Sequence, residues 1–252
     1  MAVQRQRCKP QAWQPVRWHT ARVQYGAPMR LPPPIHPWNV EPREAVQIQK
    51  DLAGRIIVRP TRRRIRLVCG ADAAFTPGRS HCVAGIVVWD VAAGRVVEER
   101  TARCPVTFPY VPGLLSFREA PALLAAIAKL EYEPDAFLFD GQGYAHPRRL
   151  GLACHVGLFL DRPSVGCAKS RLTGTHTAPA LRRGAVAPLM DGAEPIGAVV
   201  RTRDGVKPVY VSIGHRIDLD RAVELVLSCC TRYRLPEPTR LADRLVSRLR
   251  TG

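Results

Sequence analysis

Asp72, Glu119 and Asp140 are carboxylates in settings that do not suit an isolated charge. Asp72 lies in Cys69-Gly-Ala-Asp-Ala-Ala-Phe75, among small apolar residues. An unpartnered carboxylate there costs on the order of several kcal/mol. An Arg or Lys partner is the plainer answer, and a metal ion the better one if other acids converge on it. Asp140 ends the apolar run Ala136–Phe139 and opens Asp140-Gly-Gln-Gly-Tyr-Ala-His-Pro147. Glu119 closes Ser116-Phe-Arg-Glu, which also fits a helix capping box, although Pro121 disturbs that fit. Held together, three carboxylates call for divalent cations, and hard oxygen ligands with open water positions suit Mg²⁺, with Mn²⁺ expected to substitute. Two such ions about 4 Å apart would activate a water and steady the leaving oxygen of a phosphodiester. Lys169, at the end of the apolar run Ser164–Ala168, is placed to contact the phosphate or the attacking water.

Two loops adjoin this set. In Phe108-Pro-Tyr-Val-Pro-Gly113, two prolines brace Tyr110 away from collapse into a core. A stiff aromatic beside a metal site suits insertion into a base stack, although core packing is the commoner use of such a residue. Gly141 and Gly143 leave the backbone after Asp140 free to approach a ligand, although Asp-Gly also simply starts turns.

The elements that must position these residues follow from periodicity. Glu41 to Ile57 reads as an amphipathic helix with Pro42 in its first turn. Three strands follow, at Ile65–Phe75, His81–Trp89 and Arg95–Cys104, joined by short turns and so antiparallel. After the aromatic loop a helix runs to about Glu131. Strand Ala136–Phe139, helix Leu150–Leu160 and strand Ser164–Ala168 argue a right-handed parallel crossover. A hairpin, Ile196–Thr202 against Val206–Ile213, precedes helices at Leu219–Cys230, capped by Asp218, and Arg240–Leu249, capped by Thr239. The expected fold is α/β: a ribonuclease H-like mixed sheet, three antiparallel strands then parallel ones, flanked by helices. In it the first and fourth strands are neighbours, so Asp72 and Asp140 can meet.

Composition narrows the partners. The chain of 252 residues carries 38 Lys and Arg against 21 Asp and Glu, a formal charge of +17. That balance favours a polyanion, nucleic acid before an anionic membrane surface. A GC-rich genome accounts for Arg over Lys but not for the shortage of acids. No run of about eighteen apolar residues is present, so no transmembrane helix is expected, and no signal-peptide core opens the chain. The eight cysteines form no Cys-x-x-Cys pair and read as reduced, buried side chains rather than zinc ligands. Residues 1–37 hold no acid and are expected to be a basic, Pro- and Arg-rich flexible arm before one domain spanning 38–252. A transit peptide, a phosphate-backbone arm and a true start at Met29 remain alternatives for that arm.

Six motifs together are similar to the endonuclease V family. They are Gly70-Ala-Asp-Ala-Ala-Phe75, Phe108-Pro-Tyr-Val-Pro-Gly-Leu-Leu-Ser-Phe-Arg-Glu119, Asp140-Gly-Gln-Gly-Tyr-Ala-His-Pro-Arg-Arg-Leu-Gly151, Ala168-Lys-Ser-Arg-Leu172, Gly214-His-Arg-Ile217 and Leu235-Pro-Glu-Pro-Thr-Arg-Leu241. The resemblance runs from about Trp38 to the C-terminus. It implies a Mg²⁺-dependent repair endonuclease that recognises deoxyinosine, cuts the second phosphodiester 3′ to the base and leaves 3′-hydroxyl and 5′-phosphate ends. It further implies Asp72, Glu119 and Asp140 as metal ligands, Lys169 on phosphate and His215 near the metals or the attacking water. Pro109, Tyr110, Val111 and Pro112 would form a strand-separating wedge. Gly113, Leu115, Gly141, Gly143, His146 and Leu172 would line a pocket for the flipped base. The expected partner is DNA containing deaminated bases, with RNA left open, and the expected setting is a cytoplasmic monomer. A non-catalytic nucleic-acid binder on the same fold and an inosine-specific endoribonuclease are the rival readings. Tyr144 is bulkier than the family's residue there and is expected to narrow the pocket mouth.

Overall fold

The computed structural model describes residues 28–59 and 64–250. Its centre is an eight-stranded sheet in the order β3-β2-β1-β4-β5-β8-β7-β6. β1 (Leu67–Phe75), β2 (His81–Asp90) and β3 (Arg95–Pro105) form the antiparallel meander read from the sequence. β4 (Ala136–Phe139) then pairs parallel to β1, and β5 (Ser164–Ala168) parallel to β4. β6 (Val186–Asp191), β7 (Glu194–Val200) and β8 (Val209–His215) extend the sheet antiparallel beyond β5. The sequence reading lacked β6. Pro188 sits inside it, and a proline cannot donate to a ladder, so it is tolerated here because β6 is the edge strand.

Alternation along β1 sends its two sets of side chains to two cores. Leu67, Cys69 and Ala71 pack with α2 (Ser116–Ile127) and α3 (Leu152–Leu160), while Val68 joins Ala136, Leu138 and α4 (Leu219–Cys229) on the other face. α5 (Glu237–Leu249) crosses β1 and β2 on that second face. It comes close because Gly70 and Gly85 leave room. A Cβ on Gly70 would lie 2.1 Å from the Pro238 carbonyl carbon, and one on Gly85 2.7 Å from Val246 Cγ2.

Several expected boundaries shift for local reasons. α1 is Pro42–Ala53, stopping at Gly54 rather than running to Ile57. α5 starts at Glu237 with Pro236 as its N-cap, so Thr239 is inside the helix, where its hydroxyl donates to the Pro236 carbonyl. The Ser116–Glu119 capping box does not form. Leu115 is the N-cap, and Ser116 Oγ instead hydrogen-bonds His155 Nδ1 at 2.8 Å. Of the arm expected over residues 1–37, residues 1–27 lie outside the described residues. Of its described remainder, Met29 is buried and His36 Nε2 meets His155 Nε2 at 2.6 Å, while residues 30–34 are exposed.

Candidate active site

Asp72 and Asp140 come together because β1 and β4 are adjacent and parallel and both acids have the parity of the α5 face. The Asp140 backbone N–H donates to the Ala71 carbonyl at 3.1 Å, which fixes the chain as it leaves β4. Asp72 pairs across the ladder with Gly85, the residue that admits α5. That approach delivers a third carboxylate, Asp243. One oxygen from each of Asp72, Asp140 and Asp243 can be chosen so that all lie within 4.8 Å of one another. Lys169, just beyond β5, places Nζ 2.5 Å from Asp140 Oδ2 and 3.5 Å from Asp243 Oδ1. Glu119 enters from α2 and is buried.

The electrostatics are those of a site that needs a cation. Burial, then Asp140, raise the Asp72 carboxyl to about 7. Burial, then Asp72 and Asp140, raise Glu119 to about 8. Two like charges near 5 Å repel by about 3 kcal/mol even at an effective dielectric of about 20, and the single ammonium of Lys169 cannot offset all of them. Burial alone would lower that ammonium, but Asp140, then Asp243 and Asp72, hold it above its ordinary value. A compact set of oxygen donors, part of it protonated near neutrality for want of positive charge, fits a hard divalent cation.

The loop expected as a wedge is part anchored and part exposed. Phe108 is buried and anchors the loop, Pro109 and Pro112 are exposed, Val111 is half-buried and Tyr110 is 67% exposed. The Arg118 guanidinium lies 4.4 Å from the Phe75 ring centre and 5.7 Å from that of Tyr110. Beneath Tyr110 opens a cavity of about 610 Å³ whose lining includes Phe75, Leu115, Arg118 and Glu119.

The expected pocket residues divide. Gly113 and His146 are joined, His146 Nε2 donating to the Gly113 carbonyl at 3.1 Å, with Arg148 donating to the same oxygen. Leu115 and Leu172 are exposed apolar surfaces, and Gly141 is half-buried just after Asp140. Gly143 packs tightly against β8. Its N–H donates to Ser212 Oγ at 2.9 Å, and a Cβ there would lie 2.1 Å from the Ile213 carbonyl oxygen. Its freedom serves packing against β8. The Tyr144 hydroxyl donates to Glu194, which with Asp191 also holds Arg149.

His215 is a correction. Its strand runs antiparallel to β5, with His215 paired to Ser164, so it lies at the opposite end of β5 from Lys169. There it is buried, bound to Asp161 at 3.1 Å and accepting from the Ile57 N–H. The place beside Asp72 and Asp140 belongs to Asp243. Its signal was the helix start Leu235-Pro-Glu-Pro-Thr-Arg240, which continues through Leu241 and Ala242 to that acid. Only the close approach of α5 to Gly70 and Gly85 turns an ordinary exposed helix acid into a member of the cluster.

Carboxylates converging from β1, from the end of its parallel neighbour β4 and from α5, with a lysine at the same edge and an exposed aromatic loop beside them, define a phosphodiester-cleaving nuclease on a ribonuclease H-like sheet. Comparison with known proteins narrows the class. The endonuclease V family model matches residues 50–244. Endonuclease V of Alkalilimnicola ehrlichii is 50% identical over 214 residues, 84% of this chain and 94% of the relative. The crystal structure of endonuclease V from Streptomyces avermitilis superposes with a TM-score of 0.81 at 45% identity, covering 84% of this chain and 94% of its own. Endonuclease V of Ciona intestinalis, in complex with a 23mer DNA containing an inosine followed by a ribo-adenosine, superposes at 0.72 with 25% identity, covering 82% and 96%. The chain belongs to the endonuclease V family.

Proposed function

We propose that the protein is a Mg²⁺-dependent repair endonuclease that recognises hypoxanthine in DNA and hydrolyses the second phosphodiester 3′ to it, leaving 3′-hydroxyl and 5′-phosphate ends. The observation that carries this reading is the convergence of Asp72, Asp140 and Asp243, with Glu119 beside them, at the sheet edge that also bears Lys169 and the Tyr110 loop. The inosine-containing DNA bound by the Ciona relative supports the choice of substrate.

Asp72, Glu119, Asp140 and Asp243 would hold the cation, which when bound supplies charge to polarise the phosphate and acidify a water; Mn²⁺ would serve in place of Mg²⁺. Within the chain, Asp140 orients the Lys169 ammonium, which also lies 3.5 Å from Asp243 and would donate to an incoming phosphate oxygen. Pro109, Tyr110, Val111 and Pro112 fill the gap left when the damaged base leaves the stack, as wedges that unstack bases do. Gly113, Leu115, Gly141, His146 and Leu172 surround that base. Hypoxanthine presents an O6 acceptor where adenine carries an amino donor, so an N–H aimed at that position rejects adenine strongly. His146 is neutral at pH 7, since burial and then Arg148 lower it to about 4, and its Nε2–H is committed to Gly113. It therefore braces the pocket wall rather than adding charge to it.

An end-labelled duplex with one inosine, incubated with Mg²⁺, tests the reading. The expected product is a single nick one nucleotide beyond the lesion's 3′ neighbouring linkage, with religatable ends. Equal cutting of the undamaged duplex would remove the lesion specificity, and no cutting would remove the nuclease.

A further inference from the structure

A second cavity, of about 330 Å³, opens on the far side of Lys169 from Asp140. Lys169, Arg171, Arg201, Lys207 and Arg234 contribute to its lining, with Tyr210 and His176 between them and no carboxylate in the wall. Two of these cations are built into the fold without a counter-ion. Arg201 is only 6% exposed, yet its guanidinium donates to three main-chain carbonyls, of Ala180, Pro179 and Val206, at 3.1, 2.9 and 2.5 Å. Arg234 donates to the carbonyls of Lys169 and Pro208 at 2.7 and 2.9 Å, while its Nε is buried with no acceptor. Among the described residues, neither guanidinium has a carboxylate within ion-pair distance. Carbonyls satisfy donors but do not neutralise charge, and a buried cation without an anion is costly. Arg171 and Lys207 are exposed at the rim, free to close on something in the cavity.

The cavity shares Lys169 with the acidic cluster: the Lys169 ammonium faces Asp140, and its carbonyl takes Arg234. A strand whose scissile phosphate lies at Lys169 must carry its next phosphates to one side or the other; the cavity beneath Tyr110 mixes arginines with Glu119, whereas the wall on this side holds cations and no carboxylate. We infer that the cavity binds a backbone phosphate of the cut strand neighbouring the scissile one, with Arg201 and Arg234 as a fixed cationic floor and Arg171 and Lys207 as closing contacts. The inference rests on the function proposed above and names where that function gains its grip on the strand. Base identity plays no part in it, because phosphate contacts position a strand without reading sequence.

The test is binding of the full chain to fluorescent duplexes in EDTA, with and without inosine, over a series of salt concentrations. The Arg171→Ala, Lys207→Ala double variant changes exposed side chains, and an unaltered melting temperature confirms its fold. Its slope of log affinity against log salt is expected to fall by about 0.9, the value for one duplex phosphate contact. Both duplexes should weaken by the same factor. Lys129→Ala, an exposed cation bonded to Thr101 on the edge strand β3, four strands from β5, should leave the slope as it was. An unchanged slope in the double variant overturns the inference, as does a loss confined to the inosine duplex. Inorganic phosphate supplies the remaining arm. If it raises the melting temperature of the wild type but not of the variant, while the DNA slope is unchanged, the cavity is a free-anion site and the assignment to a strand fails. Cleavage is absent from these readings, so a protein that binds with the expected slopes but never nicks inosine DNA loses the proposed function and keeps the cavity.

Discussion

At the scale of single residues, the account turns on which group stands with Asp72 and Asp140 at the sheet edge. The structure places Asp243 there, and His215 at the opposite end of β5. Asp243→Asn is expected to lower the cleavage rate at least 100-fold, on the order expected for loss of a group that stabilises the transition state, while the affinity for inosine DNA in EDTA stays within a few-fold. His215→Gln is expected to cut at near the wild-type rate but melt at a lower temperature, because it breaks the ties to Asp161 and Ile57. Rates and melting temperatures of the two variants, measured side by side, decide between the assignments. The histidine at 146 makes a separate prediction. Its folded value of about 4 lies below the ordinary 6.5, so between those values the unfolded chain binds a proton that the native chain does not. Stability from this group is therefore present above pH 6.5 and lost as pH falls towards 4, by roughly 3 kcal/mol at most. Urea midpoints across that window should fall more steeply for the wild type than for His146→Gln; parallel curves would count against it. Asp140 and Lys169 were legible because each follows directly on an apolar strand, and Asp72 because it lies inside one, where a lone charge is costly. Asp243 was not, because an acid on a polar helix face carries no sign of what that face will meet.

At the scale of elements, β1 to β5 and α1 to α4 were readable from breakers and periodicity, with ends displaced by a few residues. β6 was hidden by Pro188, whose meaning depends on the strand being an edge. The close seating of α5 is the tertiary fact on which the site depends, and Gly70 is its hinge point. Gly70→Ala would drive a Cβ into the Pro238 backbone, forcing α5 outward. Overpacking of this kind typically costs about 1–3 kcal/mol. The expected result is a lower melting temperature together with weakened cleavage, since Asp243 moves with the helix. Full activity in a folded Gly70→Ala protein would contradict the role given to α5. The Tyr110 loop makes the opposite kind of prediction, because it is exposed and rigid. Tyr110→Ala should keep the melting temperature and lose more activity on duplex than on single-stranded inosine substrate. Equal losses on both would argue against a wedge. Gly143 belongs here too. Tightness against Ile213 makes Gly143→Ala a destabilising change, with inosine and undamaged DNA bound equally worse.

At the scale of the whole molecule, a chain with a formal charge of +17 carries a compact acidic cluster at the sheet edge. The excess draws in a polyanion, and the acids then concentrate cations where the strand is to be cut. These are two separable jobs, and the sequence displayed both: the first in its composition, the second in the spacing of its motifs. The sequence did not display how the sheet edge arranges them side by side, with Lys169 shared between the acids and the basic cavity. The most direct test of that division uses a labelled inosine duplex with wild type, Asp140→Asn and Asp243→Asn, each in Mg²⁺ and in EDTA, reading binding and nicking on the same samples. The account predicts that all three bind in both conditions and that only the wild type in Mg²⁺ nicks the strand. Nicking in EDTA, or nicking by either variant at the wild-type rate, would contradict it.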